Sequence, residues 1–110
     1  MASELKRVRA KKIGLDLSRI NIDVLELLCS RAEEVIRNSI ESKLSRRIIE
    51  LNVIVKAELA DVLTFTVDAH LVARASRNLD LEVLLDDAIE RGLSEIEKIL
   101  RSKFRAEEGC

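Results

Sequence analysis

A chain of 110 residues has room for one core, and two domains of half that length would each be too small to build one. Hydrophobic residues make up 47% but aromatics only 2%, so the core is packed from Leu, Ile, Val and Ala, and a largely disordered chain is excluded. The 19 basic residues are balanced by 20 acidic ones, which leaves no global field to gather nucleic acid or membrane, and no apolar run of about eighteen residues is present to cross a bilayer.

The first twelve residues carry Lys6, Arg7, Arg9, Lys11 and Lys12 against Glu4 alone and show no sustained apolar period, so residues 1–12 read as a flexible basic arm. Such an arm either touches RNA or is a solvated tail, and the lack of an interleaved aromatic to stack on bases favours the tail. Ile13, Leu15 and Leu17 then alternate with Gly14 and Asp16, the pattern of a short half-buried strand opening a single domain over residues 13–104. Asn21 is placed to cap a helix running to about Leu44. Its Leu25, Leu28, Cys29, Ala32, Val35, Ile36 and Ile40 share one face at three-and-four spacing.

At Ile49 the period switches to two. Ile49, Leu51, Val53, Val55 and Ala57 form one face of a strand, with Glu50, Asn52, Ile54, Lys56 and Glu58 on the other. After a break at Leu59 to Asp61 the alternation resumes: Leu63, Phe65, Val67, Ala69 and Leu71 point inward, Thr64, Thr66, Asp68 and His70 outward. Together the two segments predict an antiparallel hairpin. Residues 74–79 form a connection, and Asp80 caps a second helix reaching Phe104. Leu81, Leu84, Leu85, Ala88, Leu93, Ile96, Ile99 and Leu100 are its buried stripe. Gly92 interrupts that helix at a cost of about 1 kcal/mol relative to alanine. Ala88 and Gly92, four apart on one face, therefore mark either a close approach of another backbone or a tolerated weak spot. Residues 105–110 are polar and read as a frayed tail. The order β-α-β-β-α predicts an α+β two-layer sandwich, a small antiparallel sheet packed against two long helices.

Chemistry is hard to find in this chain. The only histidine, His70, falls on the polar face of a strand with no Ser, Cys or acidic partner assignable from spacing. The pairs Glu33–Glu34 and Asp86–Asp87 are adjacent on helices, diverge by about a hundred degrees and do not converge on a substrate. The three glycines build no phosphate loop, and neither Cys29 nor Cys110 has a second ligand at metal spacing. Cys29 sits in an aliphatic stripe that raises a thiol pKa. No catalytic residue, cofactor, metal or small-molecule substrate is expected. The cysteine spacing and the lack of an apolar segment after the basic start disfavour secretion and point to the cytoplasm. The absence of Pro, Trp, Tyr and Gln beside abundant Lys, Arg and Glu matches a thermophile profile.

A two- or three-stranded sheet has exposed edges that invite pairing with another chain. The outer face of the hairpin also carries apolar residues, Ile48, Ile54, Val62 and Val72, each worth roughly 1.5–3 kcal/mol if buried. With Ala88 and Gly92 they are the candidate interface for a homodimer or heterodimer. Lys6, Arg7, Arg9, Lys11 and Lys12, with strand-borne Lys56 and Arg74, are the candidate RNA contacts. A dispersed carboxylate enzyme would need a concave pocket joining acids such as Asp68 and Glu50.

The segment Ile48–Lys103, IIELNVIVKAELADVLTFTVDAHLVARASRNLDLEVLLDDAIERGLSEIEKILRSK, resembles the second half of a small archaeal family in hydrophobic pattern and segment lengths, and Ile13–Ile36 resembles that family's first strand and helix. The family is similar to the Pcc-type dimerisation subunit of the KEOPS complex, which installs threonylcarbamoyl on the adenosine next to the anticodon of certain tRNAs. The resemblance implies a paralogous accessory subunit without an active site, paired with the Pcc subunit and at most in indirect contact with tRNA. The basic segment Lys6–Lys12 has no counterpart in it, and it carries over no individual functional residue.

Overall fold

The two segments of alternating hydrophobicity form β2 (Ile48–Leu59) and β3 (Leu63–Arg74), an antiparallel hairpin closed through Ala60, Asp61 and Val62. The structure is a computed structural model and describes residues 2–14, 20–74 and 80–104, with residues 103 and 104 described by backbone alone. Phe65, Val67, Ala69 and Leu71 of β3 are fully buried on the inner face, beside Val53 and Val55 of β2. At the start of β2 the register shifts between Ile48 and Glu50. That irregularity exposes Ile49, expected inward, and turns Ile48, expected outward, against the core.

The largest departure from the sequence reading lies at the N-terminus. Residues expected as a flexible arm form β1 (Ala2–Ile13), which pairs antiparallel with β3 along its whole length, from Ala2 opposite Arg74 to Ile13 opposite Leu63. The strand order is β1-β3-β2, so β3 is central and β1 and β2 are the two edges. The period of two is present in β1, but its inward members run Leu5, Arg7, Arg9, Lys11, Ile13. Charges fill the places where apolar residues normally announce a buried face. Of the short strand read from Ile13 to Leu17, Ile13 is buried and closes β1; residues 15–19, the connection 75–79 and the tail 105–110 lie outside the described residues.

Two long helices cover the inner face. Helix α1 (Ile22–Leu44) is capped by Asn21, whose side chain accepts from the Val24 amide at 2.9 Å, and α2 (Leu81–Phe104) by Asp80, which accepts from the amides of Glu82 and Val83. After α1, Ser45 takes a positive φ of 48° and a single 3₁₀ turn, Ser45–Arg47, redirects the chain into β2. Helix α1 lies over β2 and α2 over β1, and the helices pack along each other. Leu28, Ala32, Ile36, Ile40 and Leu44 of α1 meet Leu85, Ala88, Ile89, Leu93, Ile96 and Leu100 of α2 and the β3 row in one aliphatic core. The fold is the α+β sandwich that the order of elements predicts.

Candidate binding surface

The basic residues of β1 divide by parity. Arg7, Arg9 and Lys11 face α2, where acids recur along the facing side of the helix. Arg7 pairs with Asp86 at 3.1 Å and Glu82 at 3.5 Å, Arg9 with Glu90 at 3.3 Å and Asp86 at 3.8 Å, and Lys11 with Glu97 at 3.1 Å. Three of the five proposed RNA contacts are thus already engaged inside the fold. Lys6 and Lys12 have the opposite parity and stand exposed on the outer face, as do Lys56 and Arg74. The carboxyl of Glu97 is held below the ordinary glutamate range by hydrogen bonds from Arg101 and then from Lys11.

The candidate interface residues also divide. Ile54 is 50% exposed on the outer face, Val62 is 40% exposed in the turn between β2 and β3, and Val72 is half-buried on the outer face. Ile48 does not belong with them, because the register shift seats it against the core. Nor do Ala88 and Gly92, which are buried where α2 meets α1. A methyl added at Gly92 would lie 2.6 Å from Ile36 Cγ1 and 3.2 Å from the Ala32 carbonyl oxygen, so the backbone that comes close is this chain's own α1. Sequence reasoning missed Val8, 70% exposed on β1. Val8 and Ile54 flank Asp68 in one cross-strand row. Val8 was hidden because the segment around it was not read as a strand.

The rest of the outer face is polar: Thr64, Thr66, Asp68 and His70 on β3, between Lys6 and Lys12 on one side and Asn52, Lys56 and Glu58 on the other. This is the ordinary state of an antiparallel sheet with one solvated side. His70 Nε2 lies 2.9 Å from Glu4 Oε2, and its Nδ1 4.0 Å from Glu50 Oε2. Both acids arrive from neighbouring strands, so spacing along the chain could not show them. The hydrogen bond from His70, followed by its charge, lowers the Glu4 pKa. Asp68 and Glu50 stand exposed on this face. No group of three or more ligating side chains is placed to hold a metal among the described residues. Burial, helped by Glu33 and Glu26, pushes the Cys29 thiol up to about 11, which favours its protonated form at neutral pH.

The two edges of the sheet differ. On β2, the Val55 amide donates to Glu33 Oε2 at 3.0 Å and the Leu51 carbonyl accepts from Arg37 Nη1 at 3.3 Å, so two side chains of α1 occupy the outward backbone row. In an antiparallel ladder the amide and carbonyl of one residue point to the same side, and successive residues alternate. Val55 and Leu51 therefore point away from β3, and Ile54 and Lys56 toward it. Carried across β3 by the register, the same alternation directs Leu5, Arg7, Arg9 and Lys11 of β1 at β3. It turns the backbone groups of Glu4, Lys6, Val8, Ala10 and Lys12 outward. No strand lies beyond β1 among the described residues. Of its outward groups, the Lys6 carbonyl accepts from Arg7 Nη1 at 3.2 Å in an exposed contact.

No family model and no curated protein matches the chain. Its structure is similar to a crystal structure from Thermococcus onnurineus NA1, with a TM-score of 0.74 and 22% sequence identity over 96% of this chain and 98% of that one. At that identity the likeness establishes the fold. No described helix is long and apolar enough to cross a membrane.

Proposed function

We propose that this chain is a non-catalytic accessory subunit that works in the cytoplasm by binding another polypeptide. The observation that carries the reading is the open β1 edge: a twelve-residue strand with an outward backbone row, beside exposed Val8 and Ile54, while α1 side chains guard the opposite edge. Long open edges bind strands, and natural proteins blunt the ones they do not use. The partner suggested by the family resemblance is the Pcc-type subunit of the KEOPS tRNA-modifying complex. Its test is mixing the two purified proteins and following mass by size-exclusion chromatography with light scattering. A heterodimer is expected, and two peaks eluting unchanged at micromolar concentrations would reject that partner. Independent RNA binding through the N-terminal segment is less well supported, because Arg7, Arg9 and Lys11 face α2 acids and only Lys6 and Lys12 remain directed outward.

A further inference from the structure

We infer that the corner where α1 ends and β2 begins docks an acidic polypeptide segment through Arg37, Arg46, Arg47 and Arg74. The inference goes beyond the β1 edge and does not rest on the partner named above. The net charge of -1 hides a polarised helix. From Ile22 to Glu34, α1 carries Asp23, Glu26, Glu33 and Glu34 against Arg31. From Val35 through the 3₁₀ turn, Arg37, Lys43, Arg46 and Arg47 stand against Glu41. Arg74 joins the basic end, because Ile48 pairs with Ala73 and the residues one step beyond that pair, Arg47 and Arg74, lie at the same end of the sheet. Arg46, Arg47 and Arg74 are exposed and Arg37 is half-buried, and none of the four forms an ion pair among the described residues. Glu4 and Glu50, which flank Val72 on the outer face, are turned to His70 instead.

Cations gather at helix C-termini to complement the helix dipole, which accounts for Lys43 and in part for Arg46 and Arg47. Lys43 also turns to the α1–α2 groove, which it lines with Asp80 and Asp87. The dipole does not account for Arg74, at the end of a strand, or for Arg37, about two turns inside the helix. Arg37 donates to the Leu51 carbonyl at 3.3 Å and lines a cleft with Glu41, Ser45, Arg46, Ile48 and Leu51. All four cations are arginines, whose planar forks match the two oxygens of a carboxylate. The register shift that opens β2 sets Ile49, 56% exposed, beside them. With the apolar wall of the cleft it suits the aliphatic side chains of a peptide and has no counterpart on a phosphodiester backbone. Nucleic acid fits less well on two further counts. The chain's two aromatic residues are Phe65, fully buried, and Phe104, at the far end of α2, so no base can stack at this corner. A duplex also carries about one charge per 1.7 Å and would press on Glu41, which the spaced carboxylates of a peptide avoid.

The test titrates the full chain into a fluorescein-labelled peptide of Asp and Glu around a single Leu, followed by fluorescence anisotropy at physiological salt. Saturable binding is expected. Arg46→Glu with Arg47→Glu should weaken it by about tenfold or more. Arg47→Lys should weaken it by about threefold, since the charge stays and the fork is lost. Lys98→Glu, an exposed reversal towards the other end of α2, should leave it unchanged. All of these side chains are exposed, so melting should be nearly unchanged and a loss of binding is not a loss of fold. A wild-type chain that gives no saturable signal overturns the proposal, and so does an equal loss with Lys98→Glu. Duplex RNA or phosphatidylserine vesicles held more tightly than the peptide, and released by the same double reversal, would also overturn it by making the corner a phosphate site. A chain that captures the peptide as described while ignoring the Pcc-type subunit upholds this inference and rejects only that partner.

Discussion

At the scale of single residues, Gly92 has the least room to change. A methyl group there would meet Ile36 Cγ1 at 2.6 Å and Cδ1 at 2.8 Å, and the fully buried Ile36 has no open space to swing into. Overpacking of this kind costs about 1–3 kcal/mol. The gain from replacing glycine in a helix offsets about 1 kcal/mol of it. Gly92→Ala is therefore expected to lower the stability measured by urea unfolding by about 1 kcal/mol. In an Ile36→Ala background the same substitution should cost nothing or stabilise, and an equal penalty in both backgrounds would show that the contact is not its source. The sequence marks this position without revealing its partner: Ala88 and Gly92 announce a close approach, but the helix that approaches is α1 and not another molecule. Cys29 packs against the core as its place in the aliphatic stripe predicts, but only half-buried, with Glu33 and Glu26 adding to the rise of its pKa.

At the scale of elements, β1 shows why a strand can be read as a tail. Its alternation is regular, yet the inward positions that should be apolar are Arg7, Arg9 and Lys11. Their inward placement becomes intelligible only when the acids of α2, more than seventy residues later, lie opposite. The hairpin and both helices were legible because each carries its own apolar period, and each helix its own cap. The β1–α2 pairs are partly exposed, so each contributes about 0–1 kcal/mol at most and is weakened by salt. The Glu97 carboxyl is depressed in the folded state, so its contribution is present above the ordinary glutamate range and disappears as the pH falls through the depressed value. Hydrogen exchange should accordingly show β1 amides losing protection relative to β2–β3 amides in about 1 M salt, where the screening length falls to about 3 Å. Acid should act in the same direction, and Glu97→Gln should flatten that acid dependence. Equal protection of all three strands under both conditions would mean that backbone pairing with β3 alone holds β1.

For the molecule as a whole, the consequence of residues 2–12 forming a strand is sharpest on deletion. A dispensable basic tail could be removed with little effect beyond lost affinity for an anionic ligand. A strand cannot: without residues 2–12 the sheet becomes a lone β2–β3 hairpin, a unit marginal in isolation, and β3 changes from a central strand to an edge. The same deletion removes the packing of Leu5 against the core and strands Glu82, Asp86 and Glu90 on α2 without their cations, as like charges along one helix face. The truncated chain is expected to lose its cooperative thermal transition and to aggregate, with circular dichroism reporting helix but little fixed tertiary structure. The contrary result, a truncated domain melting within a few degrees of the full chain, would return the segment to the role of an arm. It would also remove the edge on which the proposed binding depends. Charge neutralisation that leaves β1 in place separates the two roles: Lys6→Ala with Lys12→Ala should leave the melting transition nearly unchanged, because neither side chain faces α2 and both stand in solvent.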